Sequence, residues 1–216
     1  MKKIKIVAVV GSLRKESYNR QLALEAKAII GERADFELLE YQDVPLMNQD
    51  IEYPAPEAVK RVRDAVKSAD GIWFFTPEYN HFFPGVLKNL IDWLSRPISD
   101  QEPQVLAGKP AAISGISPAM TGTSMAQDHL VTLISFLNMD VMNAPRLTIP
   151  NAMQQLDSEG KLSLKASYPY LEKQVIAFLS FITKRIQKYC KNDHRQTGKL
   201  NYWRIREHKT TRKYIL

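Results

Sequence analysis

Apolar and polar positions along this chain alternate between two rhythms. Lys3–Val10 is a β-rich apolar run that stops abruptly at Gly11. From Tyr18 the spacing changes. Leu22, Ala23, Ala26, Ile29 and Ile30 recur at intervals near three and four, the period of one helix face. The exchange repeats along the chain. Strand patterns follow at Phe36–Tyr41, Gly71–Thr76, Pro110–Gly115 and roughly Asp140–Ile149, the last interrupted by Pro145. Helical patterns cover Tyr18–Ile30, Pro56–Ser68, Gly85–Ser95, Ser124–Leu137 and Lys165–Gln187. The last of these carries Tyr170, Val175, Phe178, Leu179 and Ile182 as its apolar stripe. Gly71-Ile-Trp-Phe-Phe-Thr76 has no polar break, as expected of a parallel strand buried on both faces. Strands and helices in strict alternation specify an α/β fold: a doubly wound, five-stranded parallel sheet with right-handed crossovers and helices on both faces.

In such sheets ligands bind beyond the carboxyl ends of the strands, at the switch point of strand order. With the order 2-1-3-4-5, three polar loops converge there: Gly11–Asn19, Thr76–Pro84 and Ser114–Ser124. In the first, Gly11 admits close backbone approach. Ser12, Ser17 and Asn19 offer hydroxyl and amide donors, and Arg14 offers a fork of N–H groups suited to phosphate. A helix starting near Tyr18 aims its free N–H groups at the same point. No Gly-Lys-Ser/Thr follows, and Gly-x-Gly-x-x-Gly is absent, so the loop is neither a Walker loop nor a dinucleotide fingerprint. Hydroxyls plus one arginine suit a monophosphate such as flavin mononucleotide (FMN) better than a magnesium-bound triphosphate.

The second loop, Thr76-Pro-Glu-Tyr-Asn-His-Phe-Phe-Pro-Gly85, is stiffened by its prolines. Tyr79, Phe82 and Phe83 could flank a flat ring, and Glu78 and Asn80 could bond a ring edge or a ribityl hydroxyl. The third, Ser114-Gly-Ile-Ser-Pro-Ala-Met-Thr-Gly-Thr-Ser124, can meet the polar edge of a heterocycle, with Thr123 or Ser124 capping the next helix. No nucleophile–base pair and no metal-ligand spacing stands out. A phosphate and a flat ring without a catalytic constellation fit a cofactor that carries its own chemistry.

Composition narrows the class. The 216 residues suit one α/β domain, and 44% hydrophobic content can build its core. No apolar run reaches the length of a membrane span and no signal peptide is evident. One cysteine, Cys190, excludes an internal disulfide, and these features point to the cytoplasm. The net charge of +7 is unevenly placed: Lys184–Leu216 holds 11 of the 30 Lys/Arg and 2 of the 23 Asp/Glu, a balance of +9. The remainder, 19 basic against 21 acidic residues, is near neutral, which argues against a basic binding face on the body. The chain therefore divides into a domain over 1–187 and a basic extension over 188–216.

Gly11-Ser-Leu-Arg-x-x-Ser-x-Asn-Arg20, Pro77-Glu-Tyr-Asn80 and Pro84-Gly-Val-Leu-Lys-Asn-Leu-Ile-Asp-Trp93 resemble the NADPH-dependent FMN reductases of the flavodoxin-like superfamily, the group with the chromate and quinone reductases and the azoreductases. The resemblance covers about residues 3–187. It implies non-covalently bound FMN, with Ser12, Arg14, Ser17 and Asn19 at the phosphate. Pro77, Glu78, Tyr79 and Asn80 would line the isoalloxazine and ribityl, and Ser114, Gly115 and Ser117 the far side. It also implies NADPH or NADH as electron donor, small-molecule acceptors such as quinones, free flavin, azo compounds or chromate, and a ping-pong scheme. The helix carrying Leu87–Trp93 would help form a homodimer, with dimers pairing into a homotetramer. His-Phe-Phe after Asn80 and the Ser-Pro-Ala-Met-Thr-Gly-Thr-Ser run depart from the family pattern, and bear on the substrate pocket and subunit contacts.

Two other readings compete. A flavodoxin-type electron carrier would use a Ser/Thr-rich phosphate loop without this arginine and a strongly acidic body. A nucleic-acid binder would use the tail, where Tyr189, Tyr202 and Trp203 lie among the charges. A solvated extension, or a segment that wraps a neighbouring subunit, is the favoured reading of the tail over nucleic-acid binding.

Overall fold

The computed structural model describes residues 3–196, with side chains to Lys188. The chain divides into a body, Met1–Ile182, and a second unit, Thr183–Leu216. The sheet and the loops considered below belong to the body. In chain order the elements are β1 (Ile4–Val10), α1 (Tyr18–Ile30), β2 (Ala34–Leu38), α2 (Glu57–Ser68), β3 (Gly71–Phe75), α3 (Gly85–Leu94), β4 (Pro110–Ile116), α4 (Ser124–Phe136), β5 (Asp140–Val141), β6 (Leu147–Ile149) and α5 (Tyr168–Gln196).

The sheet is parallel throughout, in the order β2-β1-β3-β4-β5, with β6 also on β4. The expected fifth strand therefore arrives in two pieces. Asp140 and Val141 pair with Pro110 and Ala111; Leu147–Ile149 pair with Ser114–Ile116. Between these patches the edge chain bulges through Met142–Arg146. Pro145, which has no N–H to give to a ladder, sits in that bulge.

Side chains on successive strand positions point to opposite faces. Ile6, Ala8 and Val10 with Trp73 and Phe75 pack under α1 and α5; Val7 and Val9 with Ile72 and Phe74 pack under α2, α3 and α4. Every residue of β3 is buried, which explains its unbroken apolar run. On α5 the buried stripe is Leu171, Gln174, Val175, Phe178 and Ile182, while Tyr170 is 65% exposed. The stripe expected from the sequence is thus one residue out at its start, and it contains a glutamine.

Gln174 is tolerated because it is fully bonded. Its Nε2 donates to Ile113 O (2.9 Å) and Pro145 O (3.0 Å), and its Oε1 accepts from Ser114 Oγ (2.6 Å), which accepts from Trp73 Nε1 (2.8 Å). The chain of bonds ties α5 to β3, β4 and the edge bulge.

The long connection between β2 and α2 is held by α3. Asn89 and Trp93, one turn apart, share a face. Asn89 Oδ1 accepts from Met47 N (2.7 Å), and Asn89 Nδ2 (2.9 Å) and Trp93 Nε1 (2.8 Å) both donate to Pro45 O. Further along, Arg96 forks onto the buried Glu52 carboxylate at 2.7 and 3.2 Å. That hydrogen bond pushes the Arg96 pKa up, while burial pulls that of Arg63 down.

Candidate functional site

Strands β1, β3 and β4 are neighbours, so their following loops meet. Gly11 N donates to Phe75 O (2.8 Å), Thr76 N to Ser114 O (3.0 Å) and Ser117 N to Ile149 O (3.1 Å), which fixes the loop origins to the sheet. Between them opens a cleft of about 190 Å³, lined by Ser12, Arg14, Ser17, Tyr18, Asn19, Pro77, Glu78, Tyr79, Ile116, Ser117 and Pro118.

One end of this cleft is polar. Ser17 caps α1, its Oγ accepting from Arg20 N at 3.4 Å. Ser12 Oγ accepts from Arg14 N at 3.4 Å. Arg14 is exposed, with its guanidinium carbon 5.4 Å from the Tyr18 ring centroid and no carboxylate partner among the described residues. Asn19 has a structural task besides. Its side chain is 2% exposed, donates from Nδ2 to Ile116 O (3.0 Å) and accepts at Oδ1 from Ile116 N (3.1 Å). That reciprocal pair locks the start of α1 to the end of β4, joining the first loop to the third.

The rest of the lining comes from the second and third loops, with Pro77, Tyr79, Ile116 and Pro118 as its apolar members. Tyr79 and Phe82 exchange backbone hydrogen bonds (2.9 and 3.0 Å) around Asn80 and His81, whose φ values are 52° and 62°. Two central residues in the left-handed region make a tight type I′ hairpin turn. Asn80 stands at its exposed tip and does not line the cleft. Glu78 lies along the cleft wall with its carboxylate already engaged. Oε2 accepts from Ala126 N in the first turn of α4 (3.0 Å), and Oε1 is 3.4 Å from His81 Nδ1. A carboxylate at a helix N-terminus satisfies a free N–H and complements the dipole. Glu78 thereby does the capping expected of Thr123 or Ser124. Thr123 makes no side-chain cap bond, and its Oγ1 accepts from Gln127 Nε2 (3.0 Å). The Phe82 ring stacks on His129 of α4, centroids 4.3 Å apart.

The third loop divides. Ser117 lines the cleft, and its Oγ accepts from Ala119 N (3.0 Å). Ser114 and Gly115 do not line it. Ser114 is fully buried in the Trp73–Gln174 chain of bonds. Gly115 is where the second and third loops touch: a Cβ there would stand 2.0 Å from Thr123 Oγ1 and 2.4 Å from Thr76 O. Tyr18, Ile116 and Pro118 belong to the lining without having been singled out in the sequence. Tyr18 was visible as the residue after the Ser17 cap; the other two are carried in by β4.

The donor set fits FMN. Hydroxyls, a helix start and an unpaired guanidinium come from the first loop, and Pro77, Tyr79, Ile116 and Pro118 line the cleft beside them. The comparisons agree. Residues 4–154 match the NADPH-dependent FMN reductase family. The chain is 35% identical over 182 residues to a 2-hydroxy-1,4-benzoquinone reductase of a Burkholderia species, covering 84% of this chain and 98% of that protein. It is 37% identical over 182 residues to an NAD(P)H-dependent FMN reductase of Pseudomonas aeruginosa, covering 84% and 96%. Among solved structures, the flavoenzyme NAD(P)H:(acceptor) oxidoreductase FerB from Paracoccus denitrificans superposes with a TM-score of 0.76 at 33% identity, over 84% of this chain and 98% of that one. The chain belongs to the NADPH-dependent FMN reductase family: a flavodoxin-like oxidoreductase that uses FMN and NAD(P)H. Among the described residues no group of His, Cys, Asp and Glu could hold a metal, and no helix is long and apolar enough to cross a membrane. The side chain of Cys190 and the extension past Gln196 lie outside the described residues.

Proposed function

We propose that this protein is a quinone reductase that draws electrons from NAD(P)H and works by alternating use of one open cleft. The observation that carries the reading is the cleft itself: hydroxyls and an unpaired arginine beside apolar lining residues, with Tyr79 55% exposed. FMN, when bound there, supplies the redox chemistry, taking hydride from NAD(P)H and delivering electrons to the acceptor. The protein's part is to bind and orient. Arg14, Ser12, Ser17 and the first N–H groups of α1 hold the phosphate. Pro77, Tyr79 and Ser117 place the ring. Glu78 and Asn19 keep the three loops in register. The nicotinamide and the acceptor enter by the same opening in turn, which favours broad acceptor choice: quinones first, with free flavin, azo compounds and chromate as further acceptors.

A homodimer, pairing further into a tetramer, accords with the exposed apolar surface beside the cleft. Tyr79, Phe82, Val86 and Met125 are 55, 44, 37 and 43% exposed. Of α3 only Val86 among these belongs to that surface, because Leu87, Leu90, Ile91 and Trp93 are buried within their own body. A cytoplasmic location accords with the need for reduced pyridine nucleotide.

Initial rates measured against NAD(P)H at several quinone concentrations test the scheme. Parallel reciprocal plots are expected; intersecting plots require both substrates bound together and overturn it. A flavodoxin-type carrier would leave NAD(P)H unoxidised without a second enzyme.

A further inference from the structure

The loop after β1 has two flanks. Its β3 and β4 side forms the cleft just described. Its β2 side forms a second cleft of about 170 Å³, lined by Val10, the Ser12–Lys15 stretch, Arg20 and the Leu39–Gln42 stretch. Ser12 and Arg14 belong to both walls, so the two clefts share one partition.

Three cations line the second cleft; Arg20 is neutralised there and Arg14 is assigned above to the flavin phosphate, which leaves Lys15. Arg20 donates to Glu40 Oε1 at 2.6 Å. Lys15 makes no hydrogen bond or ion pair among the described residues, and Arg14 meets only the Tyr18 ring. Nearby, Arg61 is held by Glu40 O (2.6 Å) and Asp43 Oδ1 (2.5 Å), so it props the far wall and is not a free charge. Leu13, 48% exposed, offers an apolar surface at the rim, over the buried Leu39 and Tyr41. An uncompensated lysine beside one exposed leucine suits a phosphate monoester carried on a partly apolar group.

We propose that this second cleft binds the adenosine 2′-phosphate end of NADPH, with Lys15 as the residue that distinguishes NADPH from NADH. The inference rests on the reductase reading above, since it assigns the remote end of that reading's electron donor. Ser12 and Arg14, which the reductase reading sets on the flavin phosphate, form the shared partition, so the second cleft adjoins the flavin site. A lysine is a compact point charge that suits a phosphate dianion and has nothing to offer a ribose hydroxyl beyond one ordinary bond.

The test is calorimetric titration of FMN-saturated protein with 2′,5′-ADP and with 5′-AMP, repeated on flavin-free protein. 2′,5′-ADP is expected to bind about tenfold or more tighter than 5′-AMP, and Lys15→Gln to remove about ten- to a hundredfold of that affinity, the range for a charged hydrogen bond. FMN affinity and 5′-AMP affinity stay unchanged in the variant, and Lys15→Glu deepens the loss. Equal affinities for the two nucleotides in the native protein overturn the proposal, as does a Lys15→Gln variant that still discriminates. Competition between 2′,5′-ADP and FMN also overturns it, by placing the nucleotide in the flavin's own phosphate loop. If the protein takes up no FMN while the Lys15-dependent discrimination persists, the reductase reading fails and the second cleft stands.

Discussion

Gly115 is the point at which the second and third loops close against each other, so Gly115→Ala is the sharpest single perturbation of the site. The added Cβ would sit 2.0 Å from Thr123 Oγ1, 2.8 Å from Thr123 Cβ and 2.4 Å from Thr76 O. A side chain can swing away, but Thr76 O is backbone, fixed between β3 and the start of the second loop. Its neighbour Thr76 N already donates to Ser114 O at 3.0 Å. The strands must therefore separate locally or the loops must part. Overpacking of this kind costs about 1–3 kcal/mol. With backbone at 2.4 Å the upper end, about 3 kcal/mol, is expected, or a fall of about 6–12 °C in Tm for a chain of this size. Flavin affinity should fall as well, because the displaced segments carry Pro77 and Ser117. Differential scanning fluorimetry on flavin-free protein separates the first effect from the second, which is read by FMN titration. Adding Thr123→Ala removes the 2.0 Å contact and leaves those with Thr76 O and the Cβ of residue 123, so rescue should be partial and the double variant less than additive. A Gly115→Ala protein with native Tm and native flavin affinity would refute the reasoning.

Arg14→Ala should weaken FMN binding about ten- to a hundredfold, with turnover recovering at saturating flavin; a rate that stays abolished there would require Arg14 to act on the reacting groups. Ser114→Ala strands Trp73 Nε1 and Gln174 Oε1 in the core and should cost about 1–3 kcal/mol of stability, while FMN titration stays native because Ser114 does not line the cleft. Tyr41 carries a pH signature. Burial, with a smaller contribution from the Glu40 charge, pushes its phenol pKa up. The unfolded chain then releases that proton first, near pH 10, so stability is full below about pH 10 and declines as pH rises beyond it. Tyr41→Phe should flatten that alkaline decline in urea-denaturation series, at the cost at neutral pH of the hydrogen bond to Val10 O.

Much of the fold was legible because parallel strands and amphipathic helices write their burial directly into residue spacing. β1, β3 and β4 are apolar on both faces since both faces are covered, and Gly11, Pro77 and Ser117 follow them because a ligand cleft forms only beyond strand ends. That brought Ser12, Arg14, Ser17, Asn19, Pro77, Glu78, Tyr79 and Ser117 to one cleft wall. Where a residue's partner is distant, spacing is silent. Gln174 carries no signal in the spacing of α5, and it is the node that bonds α5 to β4 and the edge bulge. Ser114 and Gly115 looked like loop donors, but the strand continues to Ile116 and turns one into the core and packs the other against Thr123. Glu78 looked free for a ring edge until α4 presented Ala126 N to it.

The sequence by itself determined the architecture and the polar loop after β1, since both rest on local chemistry: periodicity, a small-residue turn, a helix start. Tertiary structure alone decided which polar side chains face the cleft and which are consumed in holding it open. It also decided that the loop after β1 has two walls and not one. A side chain's direction depends on where its strand ends and what packs across from it. Those distances are set by residues up to a hundred positions away, as with Asn19 and Ile116.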